Sequence, residues 1–481
     1  MTGAMIWVPS TLMGLGMVIW ALPDRFLKVG VRLALMFLLA ALVSQWAGVW
    51  HAPDALAAWF FRIIAVIAII VIWYSDPYIE REARQHRWPP SRLKAYFALL
   101  LLFVASLVAV SLWTSFLFLW VDMEIVTLSS VVLVGIEADG RSLEAAWRFL
   151  IVTEAGGLLA LIGTVVAVSA SGHSLGVWSF HPALRYPLAV NARWALAGAY
   201  MILVGYGTKA GLAPFHTWLP DAHSEAPAPI SSLLSALKLA SAALLIYRSF
   251  QMVSSTVPAV FLHDGMIVLG LLSLLIAAGF VAFQTDLKRL WAYSSIEHIG
   301  LITLGMGFGG LALIGAMLHI WTHAVSKTLL FQNAGTVRIL YHTSDSAHGA
   351  QDLLARTPWT GGLLALGAAG IVGLPPLAPF WSEWLIVAGG FAVPQYRIFT
   401  VIAVALLVAI FIGIARRMPS WLFRPGPADR EEGLDRIDEP WSLLLPTVVL
   451  AVLVIGGGIG APLVAPHLWQ AVVREAFSHS F

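Results

Sequence analysis

The sequence predicts an all-α polytopic membrane protein with about fourteen transmembrane helices. Its 481 residues are 59% apolar and only 11% charged, where a soluble domain carries roughly 25% charged residues. Apolar runs long enough to cross a hydrocarbon layer recur along the whole chain. The 21 tryptophans suit the aromatic belts at the two membrane surfaces. A formal charge of +2 leaves no basic surface for nucleic acid. The lack of cysteine excludes disulfides, thiolate metal sites and cysteine-ligated clusters within this chain. With no nucleotide motif and no cofactor site in view, the electrons of any coupled redox reaction run through another subunit.

The runs fall at residues 5–22, 29–50, 55–74, 95–113, 115–136, 145–170, 192–213, 228–248, 263–283, 290–308, 310–340, 360–392, 398–418 and 440–466. No Lys or Arg precedes the first and no small-residue cleavage site follows it, whereas Arg25 and Lys28 do. It therefore reads as a retained span with its N-terminus outside. On that topology the clusters Arg81, Arg84, Arg87, Arg92, Lys94 and Arg416, Arg417, Arg424, Arg430, Arg436 lie on inside loops. The excess of inside positive charge predicts that both termini face out. Residues 424–440 read as a polar inside loop. Only about 15 residues follow residue 466, so no long lateral helix is expected after the last span.

Two spans are broken by proline. Pro214, Pro220, Pro227 and Pro229 follow the seventh, and Pro375, Pro376 and Pro379 interrupt the twelfth. Proline frees backbone carbonyls that lipid cannot satisfy, so these segments must be buried in protein or line a wet cavity. Breaks in matching places predict an internal repeat. Its units are residues 95–248 and 249–418, flanked by an N-terminal segment 1–94 and a closing segment 419–481.

Charges stand inside several spans: Glu124 on the fifth, Arg148 on the sixth, Lys209 on the seventh and Lys238 on the eighth. Glu297 and His298 follow on the tenth, His319, His323 and Lys327 on the eleventh, and Glu383 on the twelfth. An ammonium at bilayer depth costs roughly 2.5–3.5 kcal/mol on insertion scales, so such groups face the bundle interior and mark ion pathways. His319, His323 and Lys327 recur every four residues, about 40° apart per step, and make one polar stripe. Imidazoles exchange protons near neutrality, and a lysine's hold on its proton depends on desolvation and on nearby carboxylates. Other roles compete. Lys238 could snorkel to the interface; His216, Asp221 and His223 could carry ions or cap a short half-helix. Asp122 and Glu154 lie about 160° and 120° around their helices from Glu124 and Arg148, which favours structural or interfacial roles. His319 and His323 lack an obvious third ligand, so no metal site is predicted.

The segments YGTKAGLAPFHTWLPDAHSEAPAPISSLLSALK, QTDLKRLWAYSSIEHIGLITLGMGFG, HAVSKTLLFQNAG and GLPPLAPFWSEW resemble the antiporter-like membrane subunits of respiratory complex I and its relatives. DAHSEAPAP and SSIEHIG, with MEIVTLSS and AAWRFLI, look most like the F-type membrane subunit of hydrogenase-4 and formate-hydrogenlyase-type complexes. The resemblance runs from about residue 95 to about residue 395, and the flanks match only in kind. It implies a fourteen-helix fold with two inverted five-helix repeats, a broken helix in each, and a midplane chain of charged residues.

By the same resemblance, Glu124, Lys209 and Lys238 are the glutamate and two lysines of the first repeat. His319, His323 and Lys327 are the connecting group, and Glu383 is the terminal acid, which other members replace with lysine. Many relatives have lysine in place of Arg148; arginine does not release its proton, so here it could tune Glu124 and Lys209 but not relay. The spacing from Pro229 to Lys238 differs by about one residue from some relatives. The expected function is proton translocation, without catalysis of its own, in a multi-subunit redox-driven complex of a bacterial or archaeal cell membrane. Expected partners are other membrane and peripheral subunits. Two alternatives keep the fold: membership of a sodium or potassium/proton antiporter, and the membrane partner of an energy-coupled inorganic-carbon uptake system.

Overall fold

A computed structural model describes residues 4–170, 191–253, 259–423 and 436–477. Arg424, Arg430 and most of the loop that the sequence reads as inside lie outside the described residues. A helix coincides with every apolar run read from the sequence. These are α1 (Ala4–Ala21), α2 (Leu27–Trp46), α3 (Ala55–Gln85), α4 (Pro90–Leu112), α5 (Phe116–Val134), α6 (Gly140–Ala170) and α7 (Ala192–Ala210). After the first break come α8 (Trp218–Glu225), α9 (Ala228–Val253), α10 (Ala259–Phe280), α11 (Leu287–Phe308) and α12 (Gly310–Tyr341). The second break separates α13 (Pro358–Ile371) from α14 (Ala378–Ala392), and α15 (Arg397–Arg417) and α16 (Trp441–Phe477) complete the order. Among the described residues, nine helices are long and apolar enough to cross a membrane. Helices α7, α11 and α12, which carry Lys209, Glu297 with His298, and His319, His323 and Lys327, are not among them.

Local chemistry sets the helix ends. Asp54 accepts from the Ala57 N–H (2.7 Å) and caps α3. Asp139 and Ser142 exchange bonds across the first turn of α6, the Ser142 N–H donating to Asp139 at 2.7 Å and the Asp139 N–H to Ser142 at 3.2 Å. Helices α4, α13 and α14 open on proline, whose missing N–H has no partner at that position anyway.

Helix α9 forms the centre: every residue of its most apolar window is buried, against 33% for α2 and 28% for the stretch containing α15. The outer helices turn their apolar faces outward. Without a hydrophobic drive between helices in lipid, close approach through small residues holds the bundle together. Helices α6 and α7 meet at Gly156 and Gly205, where a Cβ on Gly205 would stand 2.6 Å from the Gly156 carbonyl. Helices α10 and α11 meet at Gly270 and Gly300, where a Cβ on Gly270 would stand 2.8 Å from the Gly300 carbonyl.

Helix α3, which the sequence places in a separate N-terminal segment, packs against α9, α12 and α16. The loop after α3, the α5–α6 loop, α8 and the starts of α9 and α11 share one end of the bundle. Ion pairs of Arg338 with Glu82 and Glu137, and of Asp221 with Arg148 and Arg289, tie that charged face together.

Candidate functional site

Helix α7 stops at Gly211, whose φ of 77° is the left-handed conformation that glycine adopts without penalty. The Gly211 N–H donates to the Thr208 carbonyl (3.2 Å) and the Leu212 N–H to the Gly207 carbonyl (2.9 Å), a Schellman closure. The Trp218 indole donates to the Thr208 carbonyl at 3.0 Å, and Ser273 accepts the Ala213 N–H at 2.9 Å. Protein groups thus satisfy the broken backbone, as burial demands.

This break leaves Lys209 on the last turn of α7, fully buried. Its ammonium donates to Glu124 of α5 at 2.7 Å and to Thr127, one turn further along, at 3.0 Å. Glu154 of α6 stands 4.0 Å away. Gly157 makes room for the pair: a Cβ there would lie 2.9 Å from Lys209 Nζ and collide with Glu124 Oε1. Arg148 is not at this site. The structure pairs it with Glu144 and, at 3.0 Å, with Asp221 on the charged face, where its side chain is 56% exposed. Its place two turns from the start of α6 puts it near solvent, and the second carboxylate beside Lys209 comes from Glu154, one and a half turns deeper.

Lys238 ends a π-helical turn, Leu234–Lys238. It does not snorkel. Its ammonium is fully buried, lies 3.8 Å from the Phe149 ring centre and 4.4 Å from that of Trp218, and has no hydrogen-bond partner among the described residues. The two rings stack on each other at 4.5 Å. The π turn takes up one extra residue between Pro229 and Lys238. It also presents Ser235 to Ser295 of α11, the two hydroxyls 2.8 Å apart.

On the far side, Lys327 donates to the Trp291 carbonyl at 2.8 Å. His298 Nδ1 and His319 Nε2 lie 2.9 Å apart, and His319 Nδ1 is 2.9 Å from Ser382 Oγ. The His323 ring centre is 5.4 Å from that of His298, and Glu297 reaches within 3.7 Å of His298 Nε2. Glu383, adjacent to Ser382, folds over Gly373, where any Cβ would strike its carboxylate. One ring nitrogen of His298, one of His319 and a Glu383 oxygen lie within 4.8 Å of one another. The structure thus groups His319 with His298 and Glu383 and not with His323, a set that the spacing of His319 and His323 does not reveal. In this arrangement His298 Nδ1 and His319 Nε2 face each other, His319 Nδ1 faces Ser382, and His298 Nε2 has no hydrogen-bond partner among the described residues.

The accessory residues divide. His223 is fully buried, stacks on Phe331 at 4.9 Å, and neither ring nitrogen has a partner among the described residues. His216 is partly buried. Asp221 caps no helix; it bridges Arg148 and Arg289, each at 3.0 Å. Glu154, Thr127 and Ser382, and the Phe149–Trp218 cage, were missed by sequence reasoning. Glu154 does carry a signal, an acid within an apolar run, but its helical angle from Arg148 says nothing of its neighbour Lys209 on another helix.

Residues 113–413, more than half the chain, match the family model described as NADH:quinone oxidoreductase/Mrp antiporter, transmembrane. The chain belongs to that family. It is 35% identical over 352 residues to the hydrogenase-4 component F homolog of Methylacidiphilum infernorum, covering 72% of this chain and 73% of the relative. It is 29% identical over 435 residues to NADH-quinone oxidoreductase subunit N of Desulforudis audaxviator, covering 87% and 84%. Its fold matches a chain of the archaeal membrane-bound sulfane sulfur reductase with a TM-score of 0.82 at 21% identity, covering 99% of this chain and 98% of the other. A chain of Thermus thermophilus respiratory complex I matches with a TM-score of 0.73 at 22% identity, covering 97% and 98%. This antiporter-like family member is thus a multi-span membrane protein, related to components of multi-subunit complexes.

Proposed function

We propose that this protein translocates protons for a redox-driven complex of the hydrogenase-4 type, along an axis from Glu124 to Glu383. The observation that carries the reading is the buried Lys209–Glu124 ion pair, 2.7 Å long, at the end of a broken helix. A buried ammonium is tolerated while a carboxylate faces it, and becomes a proton donor when that carboxylate is neutralised or withdrawn. Glu124, with Glu154 as second acid, would set the hold of Lys209 on its proton. Lys238, held by two ring faces and no anion, would be the next acceptor. From there the proton would pass to Lys327, His323, His319 and His298 and leave through Glu383. Arg148 stays outside this route as part of the charged face. The two units 95–248 and 249–418 would be repeats of opposite orientation, with the charged face inside and both termini outside.

Each charge moved against the membrane potential stores about 2.3 kcal/mol per 100 mV, which a partner reaction must supply. In the assembled complex, Lys209→Ala should abolish coupled proton translocation while leaving assembly intact; undiminished pumping would contradict the relay. A second reading is favoured by 30% identity to a probable K(+)/H(+) antiporter component of Rhizobium meliloti, of which this chain covers 41%. Cation-dependent proton movement in vesicles without an electron donor would support it. Co-purification of nickel-iron hydrogenase or formate dehydrogenase subunits would support the first reading. A large soluble zinc protein in the same preparation would instead point to inorganic-carbon uptake.

A further inference from the structure

The charged face holds a buried cluster that the axis does not use. Glu82, in the last full turn of α3, has a side chain only 1% exposed. Arg338 of α12 approaches it at 3.2 Å and, with the same Nη2 atom, stands 3.1 Å from each oxygen of Glu137 in the α5–α6 loop. One guanidinium therefore serves two carboxylates, and as arginine it releases no proton. His86 lies one turn beyond Glu82, its Nε2 3.4 Å from Glu82 Oε1 and its side chain 47% exposed. The groups near Glu82 are His86, Tyr78 and Tyr74 on α3, Tyr96 on α4, Arg338 on α12, Glu137, and Lys288 on α11; Arg92 of α4 donates to the Glu137 carbonyl.

Inward of the cluster the polar groups continue. Lys288 is buried, donates to the carbonyls of Ser224 (2.7 Å) and Ala226 at the end of α8, and lies close enough to Arg338 and Glu137 to feel their charges. His223 precedes Ser224 and carries two ring nitrogens with no partner among the described residues; it stacks on Phe331, one turn from Lys327. A half-exposed imidazole over a buried acid, with a buried unpartnered imidazole further in, has the form of an entry and not of a brace.

We propose that His86 and Glu82 form a proton-uptake site on the charged face, feeding the axis at its midpoint, past Lys288 to His223 and Lys327. A proton taken from water by His86 passes to the Glu82 carboxylate 3.4 Å away, and Arg338 holds that carboxylate in place. The inlet rests on the axis reading, and deepens it by naming where the proton that reaches Lys327 is taken up; onward movement still depends on the Lys209–Glu124 pair.

The test measures electron-driven proton translocation by the assembled complex in proteoliposomes across pH, for the wild type, Glu82→Gln, Glu82→Asp, His86→Gln and, as control, Lys209→Ala. Glu82→Gln is expected to slow translocation at least about tenfold, with Glu82→Asp restoring most of it. His86→Gln should flatten the fall in rate through the range where imidazoles lose their proton. His86 is half exposed, so its variant tests the proposal even if Glu82→Gln does not assemble. Normal rates and pH profile in His86→Gln overturn the inlet, as does a slow Glu82→Gln that Glu82→Asp does not rescue. If those variants pump normally and Lys209→Ala does not, the axis stands without the inlet; if Lys209→Ala pumps normally, the axis reading itself fails.

Discussion

At the scale of single residues, Lys238 separates stability from transport. Its ammonium has two aromatic faces and no carboxylate, and a cation over a ring recovers on the order of 2 kcal/mol when desolvated, less than the cost of burying the charge. Lys238→Met keeps the length and removes the charge. It is expected to leave thermal stability in detergent unchanged or slightly raised, and to reduce proton translocation at least about a hundredfold. A variant that still pumps would remove Lys238 from the axis. Gly157→Ala attacks the other end: its methyl group must displace Glu124 or Lys209. Loss of translocation with assembly retained is expected, and normal assembly and pumping in Gly157→Ala would show that the pair can shift without consequence.

The residue scale also shows how much of the site the sequence discloses. Glu124, Lys209, Lys327 and Glu383 are legible because a charge within an apolar run is conspicuous and costly. Which charges pair is not legible, since pairing joins different helices: Arg148 lies in the same kind of run, yet it faces Asp221 and not Glu124. Glu82 and Arg338 are less visible still. They stand at span ends, where charges are ordinary, and only the packing of α3 against α12 shows Glu82 to be buried.

At the scale of elements, a π turn and a cap carry the consequences. The turn Leu234–Lys238 holds one residue more than a regular helix needs. Inserting one alanine after Ala236, which the turn has no room to absorb, should rotate Lys238 by about 100°, away from the Phe149–Trp218 rings. Translocation should fall as far as in Lys238→Met, and an insertion variant that pumps normally would deprive the aim of Lys238 at the rings of a role. Helix existence is legible from composition and length, whereas a single added residue in a 26-residue helix leaves no periodic trace. The start of α6 makes a different prediction. The Ser142 N–H and hydroxyl hold the Asp139 carboxyl below the usual carboxylate range. A group whose proton affinity is depressed by folding stabilises the fold above its ordinary pKa, and that contribution fades as pH falls through the folded value. Asp139→Ala should therefore cost about 1 kcal/mol at neutral pH. The deficit should close progressively below about pH 4, as followed by thermal unfolding in detergent; a deficit that persists in acid would assign the loss to something other than the charged cap.

At the scale of the whole molecule, α3 joins what the sequence divides. One end is tied to α12 through Glu82 and Arg338 at 3.2 Å, and its middle to the same helix through Tyr74, which donates to the Gln332 carbonyl at 2.7 Å. Its other end is tied to α9, where Arg248 stands 2.6 Å from Asp54 with both side chains about nine-tenths buried. Removing one member of such a pair strands a charge away from water, which costs about 3–5 kcal/mol, while removing both is close to neutral. Arg248→Met should therefore lower stability by about that amount. Asp54→Asn preserves the cap on Ala57, and adding it to Arg248→Met should recover most of the loss. The double-mutant cycle, read by thermal unfolding of the assembled complex, isolates the coupling. A loss below about 1 kcal/mol in Arg248→Met, or no recovery in the double variant, would mean that α3 is held by packing alone and that its two ends do not clamp α9 to α12.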